Sequence, residues 1–357
     1  MSVSPKDLIR EEVQELAAYH VPDARGLVKL DAMENPYGLP DSLRDVIALL
    51  VRETPLNRYP DPSGVALRQR LKEVMEVPAG MDVLLGNGSD EIIQMLCLAV
   101  AKPGAVVMGV DPGFVMFRMI SAFAGLRYES VPLGAGFALD PAAMLAAMER
   151  HRPALTFLAY PNNPTGNLFD PDDMEEVIRC APGLVVVDEA YTAFAGVSFM
   201  GRLPEHSNLL VMRTLSKLGL AGLRLGFLVG RPDWLEQIDK VRLPYNVNVL
   251  TQLVAERVLA QAALLHEQAA AIRIARAVLL DALAALPGVD ALPSSANFIL
   301  FQVPDADAVF EGLKARGVLV KSLNGSHVRL SGCLRVTVGT PEENRIFLDA
   351  LRAALGR

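Results

Sequence analysis

The segment Leu184–Tyr191, LVVVDEAY, is an apolar run that ends in the carboxylate of Asp188. Four consecutive apolar residues, mostly β-branched, read as a strand covered on both faces. In an open parallel sheet, ligands gather beyond the carboxyl ends of the strands, so Asp188 stands at a ligand edge. A carboxylate there needs a cation to meet it, or serves as a helix N-cap, the other common use of aspartate at such a turn. A second apolar run, Leu209–Met212, leads into Thr214-Leu215-Ser216-Lys217. Lysine can form an imine with a carbonyl compound, and burial or nearby cations lower its pKa toward the free amine that attacks. Taken alone, Lys217 reads as a surface lysine on a loop. Positions 188 and 217 lie 29 apart, which allows one crossover between successive sheet-end loops. An amine and a carboxylate converging there suit an electron-sink cofactor with a basic ring nitrogen, and pyridoxal phosphate requires both.

Such a cofactor needs a phosphate cradle. Leu84–Ile92, LLGNGSDEI, runs from strand through a Gly-rich turn into a helix start. Gly86 and Gly88 permit close backbone approach, and Ser89 and Asp90 fall at a helix N-terminus, where free N–H groups and the dipole attract anions. The same segment also fits a plain strand-to-helix loop with a Ser/Asp cap. It lacks the lysine of a nucleotide-phosphate loop and the full dinucleotide fingerprint. Other candidates each have a plainer alternative. Asn163 in PNNPTG (161–166) and Tyr191 are placed to donate to the cofactor's phenolic oxygen, or are a turn asparagine and a packed aromatic. Arg224, seven residues past Lys217, is a phosphate ligand or a surface ion pair. Phe114 stacks on a pyridine ring or sits in the core. Arg335, a strand arginine among apolar residues, needs an anion, either a substrate carboxylate or a structural partner.

Around these residues, short apolar runs alternate with helical patterns. The strand candidates are Val83–Leu85, Ala105–Val110, Tyr128–Pro132, Leu155–Ala159, Leu184–Val187, Leu209–Arg213 and Leu225–Val229. Amphipathic segments such as Asp90–Ala101, Val115–Ala124, Asp140–Arg150 and Pro171–Ala181 lie between them. This predicts an α/β fold: a mainly parallel seven-stranded sheet between helices. From Asp233 to Leu286 one long helical pattern, interrupted near Pro244, gives way to a smaller α+β unit. That unit has strands at Phe298–Val303, Val318–Ser322 and Leu334–Val338, a helix at Ala306–Arg316 and a last helix from Pro341. The expected organisation is an N-terminal arm with part of the small domain (1–40), a large cofactor domain (41–245) and a small C-terminal domain (246–357).

The 357 residues are 51% hydrophobic and 21% charged, with a net charge of −7. There is ample apolar surface for a core, and the acidic balance argues against a nucleic-acid partner. Cys97, Cys180 and Cys333 show no metal or disulfide spacing and read as free thiols. The five histidines, at 20, 151, 206, 266 and 327, show no metal-ligand spacing, so no metal is expected. Met1–Glu15 is charged without an apolar core, and no apolar stretch reaches membrane-spanning length. The expectation is a cytoplasmic protein without a membrane partner.

The ordered motifs ENPYG (34–38), RYPDP (58–62), GNGSDE (86–91), PNNPTG (161–166), VVDEAY (186–191), TLSK (214–217), GLRLGF (222–227) and CLRVTVGT (333–340) resemble fold-type I aminotransferases. Among these, the set is similar to the histidinol-phosphate branch. The resemblance implies pyridoxal 5'-phosphate bound by Ser89, Asp90, Ser216 and Arg224 at its phosphate. It implies Asn163 and Tyr191 at the phenolic oxygen, and a homodimer in which Tyr59 reaches the neighbouring subunit's phosphate. Lys217 would carry the cofactor and move the proton, Asp188 would keep the ring nitrogen charged, and Arg335 and Asn35 would face the substrate. The implied exchange is between histidinol phosphate and 2-oxoglutarate, or glutamate and imidazole acetol phosphate. An aromatic aminotransferase or a threonine-phosphate decarboxylase would share the scaffold, and a non-enzymatic binding protein is a further alternative. This chain departs from the pattern in reading Asp31-Ala32-Met33 before ENP, in having Phe114 for a tyrosine, and in a shorter segment after Lys217. Lys321 and Arg329 are both candidates for a substrate phosphate.

Overall fold

A computed structural model describes residues 3–18 and 21–356; His20 lies outside the described residues. The seven apolar runs form one sheet in the order Asp82–Gly86, Gly226–Gly230, Leu209–Thr214, Leu184–Asp188, Leu155–Ala159, Val106–Asp111, Arg127–Pro132. Six strands run parallel. Gly226–Gly230 is the exception, pairing antiparallel with both neighbours. Strand Leu184–Asp188 is fully buried between Leu155–Ala159 and Leu209–Thr214. Its Leu and three Val side chains are at most 4% exposed, and each contributes roughly 1.5–3 kcal/mol by leaving water.

The helices that cover the sheet begin at the predicted signals. Asp140 and Asp170 cap helices Pro141–His151 and Pro171–Cys180, each with proline in the first turn. Separate apolar cores lie on the two faces of the sheet, one around Val185, Val187, Val211 and Phe227, the other around Val186, Leu210, Met212 and Leu228. Alternate residues of one strand feed opposite cores, as strand geometry requires.

The helical pattern of 233–286 resolves into three helices, Pro232–Asp239, Val249–Leu259 and Ala262–Ala284. Val254, Ala255 and Val258 of the second pack into the large sheet's core. The smaller sheet is antiparallel, in the order Lys321–Ser322, Cys333–Thr337, Phe298–Gln302, Asp290–Ala291. The single strand expected over 318–322 divides at Val320, because Val318–Leu319 pairs instead with Val28–Lys29 from near the chain start. Leu30 and Met33 thereby join the core formed by Phe298, Phe301, Leu334 and Phe347, which also receives Tyr191 and Phe194. Among the described residues no helix is long and apolar enough to cross a membrane.

Candidate active site

The carboxyl ends of the central strands open onto a cavity lined by Met33, Ser89, Asp90, Phe114, Ala159, Asn163, Asp188, Ala190, Tyr191, Thr214, Ser216, Lys217 and Arg224. Asp188 ends its strand with its backbone in register with Ala159 and Met212. Its carboxylate accepts one hydrogen bond, from the Ala190 N–H at 3.0 Å. Burial drives its pKa from 3.8 up to about 7, and that backbone bond only partly opposes the shift. The adjacent acid, Glu189, points to the other face. There it accepts from Arg213 Nε, the Ser198 hydroxyl and the Phe199 N–H. The period-2 alternation of an extended chain thus sends one carboxylate to the cavity and the next into a structural ion pair.

Lys217 sits in a tight turn, Ser216–Leu220, directly beyond strand Leu209–Thr214. The turn needs Gly219, whose φ is 118° and whose missing Cβ would lie 3.0 Å from Asn35 Nδ2. Lys217 Nζ donates to the Ala32 carbonyl at 2.9 Å. Burial, and then the charge of Arg335, bring the Lys217 amine down from 10.5 to about 8. Ser216 is fixed from below, its N–H donating to Thr214 Oγ1 at 3.1 Å.

The anion cradle is built from glycines. Helix Ser89–Val100 starts after Gly88 with no side chain capping its first N–H groups. A Cβ on Gly88 would meet Arg224 Nη2 at 2.7 Å, and one on Gly226 would meet the Ser89 nitrogen at 2.6 Å. Only glycine at these places lets the strand pass beneath the loop and the guanidinium lie over it. Arg224 itself has a left-handed backbone, φ 51°, which closes the short segment after Lys217, and its side chain lies 3.6 Å from Asp90. Uncapped helix N–H groups, two hydroxyls and an arginine form a donor set that fits a phosphate monoester. The carboxylate and the amine across the cavity fit opposite ends of a pyridoxal ring.

On the remaining wall, Asn163 Nδ2 donates to the Tyr191 hydroxyl at 3.2 Å, and its Oδ1 accepts from Arg335 Nη1 at 2.5 Å. Burial pushes the Tyr191 phenol above its usual 10. Arg335 also donates to the Asp31 carbonyl at 3.3 Å and lies over the Phe298 ring. Phe114 lines the cavity with its ring edge-to-face against Phe117.

Three expected site residues are not among those that line the cavity: Arg335, which lies behind Asn163, and Asn35 and Tyr59. Asn35 is not on the cavity wall. Its amide donates to the Leu218 carbonyl and to Gln268, so it braces the Lys217 turn from behind. Tyr59 is 80% exposed and stacks on Tyr245 at 4.3 Å, outside the cavity of its own chain. Of the two candidate cations, Lys321 is the cross-strand neighbour of Arg335. Arg329 is committed to the Leu133 and Gly134 carbonyls and to the Phe137 ring. Met33, Thr214 and Ala190 also line the cavity; each falls within a quoted stretch, but no role follows for it from the sequence, and a left-handed methionine leaves no signal there. Glu175, Glu205 and His206 gather at the surface, with Arg202 paired to both carboxylates.

The aminotransferase class I and II family model matches residues 25–351. A histidinol-phosphate aminotransferase 2 of Cupriavidus pinatubonensis is 60% identical over 98% of this chain and 96% of its own length. A histidinol-phosphate aminotransferase 1 of Ralstonia nicotianae is 57% identical over 98% of this chain and 94% of its own. The solved histidinol-phosphate aminotransferase of Sinorhizobium meliloti, in complex with pyridoxal 5'-phosphate, superposes with a TM-score of 0.88. It is 25% identical and is covered over 98% of each chain.

Proposed function

This chain belongs to the class I and II aminotransferases, and from that membership we infer that it is a pyridoxal-phosphate-dependent transaminase moving an amino group between histidinol phosphate and 2-oxoglutarate. The observation that carries the reading is the one cavity that gathers the Lys217 amine, the Asp188 carboxylate and the anion cradle. The substrate follows from the relatives at 57–60% identity over nearly the full chain. The aromatic aminotransferase and threonine-phosphate decarboxylase alternatives are not favoured.

When bound, pyridoxal phosphate supplies the electron sink for the carbanion formed at the substrate carbon. The residues of this chain do the rest. Lys217 Nζ would hold the cofactor through its amine and, as the free amine, would carry the proton as base and then acid. An amine with a pKa of about 8 offers both forms near neutrality, as general acid–base work requires. Asp188 is the carboxylate that would hold the cofactor's ring nitrogen in its protonated form, and a cation opposite it would keep the buried carboxylate ionised. Ser89 and Asp90 at the helix start, with Ser216 and Arg224, hold the phosphate. Asn163 and Tyr191 orient the ring through its phenolic oxygen, while Phe114 offers an apolar face for stacking. Arg335 takes the substrate carboxylate in a charge-assisted pair. Lys321, beside it on the next strand, holds the phosphate of histidinol phosphate, so two neighbouring cations serve two differently charged substrates.

The working form is a cytoplasmic homodimer in which Tyr59, with 80% of its surface available, reaches the neighbouring subunit's cofactor phosphate. The cofactor domain extends past the expected boundary at 245 to take in helix Val249–Leu259, whose Val254, Ala255 and Val258 pack into the large sheet's core, and the small domain combines the strand Val28–Lys29 near the chain start with the residues beyond that helix. The deciding test is the absorbance of purified, cofactor-loaded protein before and after histidinol phosphate, beside phenylalanine and phosphothreonine. Histidinol phosphate should discharge the visible band fastest and be turned over with 2-oxoglutarate. Faster consumption of either competitor would overturn the substrate assignment.

A further inference from the structure

The mechanism above uses Lys217 and Arg335, yet neither is aimed by its own strand alone. Both donate to consecutive carbonyls of one short segment. Lys217 Nζ reaches the Ala32 oxygen at 2.9 Å, and Arg335 Nη2 reaches the Asp31 oxygen at 3.3 Å. The next residue, Met33, has a left-handed backbone with φ 55°. That conformation costs a non-glycine residue roughly 1–2 kcal/mol and persists only where the surroundings impose it. Two buried side chains impose it here. The Met33 N–H donates to Thr337 Oγ1 at 2.9 Å, and its carbonyl accepts from Asn297 Nδ2 at 3.0 Å. Thr337 is 3% exposed and Asn297 fully buried. The Met33 side chain then turns into the cavity, where its thioether accepts from the Tyr191 hydroxyl at 3.4 Å.

We propose that the Met33 kink, pinned by Thr337 and Asn297, is the positioning device that sets the reactive lysine and the substrate arginine together. Thr337 and Asn297 are positioning residues, acting through the backbone at 31–33. The geometry explains why the left-handed turn is retained in a segment that would otherwise run extended. Relaxing φ at Met33 toward the β region would swing the Ala32 and Asp31 carbonyls away from their cationic partners. The Ala32 carbonyl stabilises the ammonium form of Lys217, so losing it lowers the amine's pKa further. The Asp31 carbonyl restrains Arg335, so losing it loosens the grip on a carboxylate. One perturbation at Thr337 therefore moves two readouts that belong to different side chains. The Met33 thioether, in turn, holds the Tyr191 hydroxyl on the cavity side.

This inference rests on the roles assigned above to Lys217 and Arg335, and its test separates the two. The variants are Thr337→Val, which keeps shape and removes the acceptor, and Thr337→Ser, which restores it. On cofactor-free protein, the pH dependence of Lys217 labelling by an amine-reactive reagent reports the amine. Calorimetric binding of 2-oxoglutarate reports the arginine. Thr337→Val should lower the labelling midpoint by about half a pH unit or more, the size expected for one lost hydrogen bond. It should also weaken 2-oxoglutarate binding by about 3-fold or more. Thr337→Ser should return both toward wild type. Thr337→Val with an unmoved labelling midpoint and unchanged 2-oxoglutarate binding overturns the proposal, as does a loss of thermal stability without either shift. Should Thr337→Val not fold, Asn297→Ser read by the same two assays decides in the same way. Wild-type protein that forms no lysine-bound cofactor would instead overturn the underlying assignment of Lys217.

Discussion

Asp188→Asn should make the cofactor-free protein more stable at alkaline pH while removing most of the activity of the cofactor-loaded enzyme. Asp188 is 5% exposed and receives a single backbone hydrogen bond. Burial raises its carboxyl from 3.8 to about 7. A raised acid contributes its stability below the unfolded pKa and loses it as pH climbs to the folded pKa. At roughly 1.4 kcal/mol per unit, the ionised carboxylate disfavours the fold by about 4 kcal/mol above about pH 8, and by well under 1 kcal/mol near pH 4. Asparagine has no such titration and keeps an oxygen for the Ala190 N–H, but its buried amide adds a penalty of roughly 1–3 kcal/mol at every pH. The difference between variant and wild type should therefore widen in the variant's favour by about 2–3 kcal/mol between about pH 5 and about pH 8. Urea unfolding of both proteins without cofactor, at one protein concentration, measures it. A difference that stays constant or narrows as pH rises would refute the claim that an unpaired, buried carboxylate waits at the end of this strand. The trade of stability for a placed charge is typical of functional sites.

Further outcomes follow from the same geometry. Arg335→Ala should raise the KM for glutamate by about 10–100-fold, the equivalent of a charge-assisted pair, with a smaller change in kcat; steady-state kinetics at saturating co-substrate checks this. Lys321→Ala should raise the KM for histidinol phosphate and leave that for glutamate nearly unchanged. Arg329→Ala, which removes bonds to the Leu133 and Gly134 carbonyls, should lower the melting temperature without that selectivity. Mixing Tyr59→Ala with Lys217→Ala protein should restore activity, because in the proposed homodimer roughly a quarter of the sites become complete once subunits exchange. Absence of rescue would place Tyr59 outside the neighbouring site.

The strands and the two central residues were legible because they rest on local signals. Leu184–Val187 is a run that suits only a doubly covered strand, and the polar residue after such a run falls at the sheet's ligand edge. What sequence could not supply depends on distant partners. Nothing in GFLVG tells that Gly226–Gly230 runs opposite to its neighbours; the direction follows from the tight turn at Ser216–Leu223 returning the chain beside its own strand. Asn35 reads as a substrate contact from its motif but meets Leu218 and Gln268, which lie 183 and 233 residues away. Glu189 and Asp188 are alike in type and adjacent, and only the strand's alternation, with Arg213 in place, separates a structural acid from a functional one. Met33 is an ordinary apolar letter until Thr337 and Asn297 close on its backbone.

Lys217 is proposed as the amine that carries the cofactor. Loaded protein should be reduced with borohydride, digested, and its peptides weighed. Phosphopyridoxyl mass should appear on the peptide containing Lys217 and on no other, with the label absent from Lys217→Ala. Label fixed on a different lysine, or retained in Lys217→Ala, would contradict that assignment.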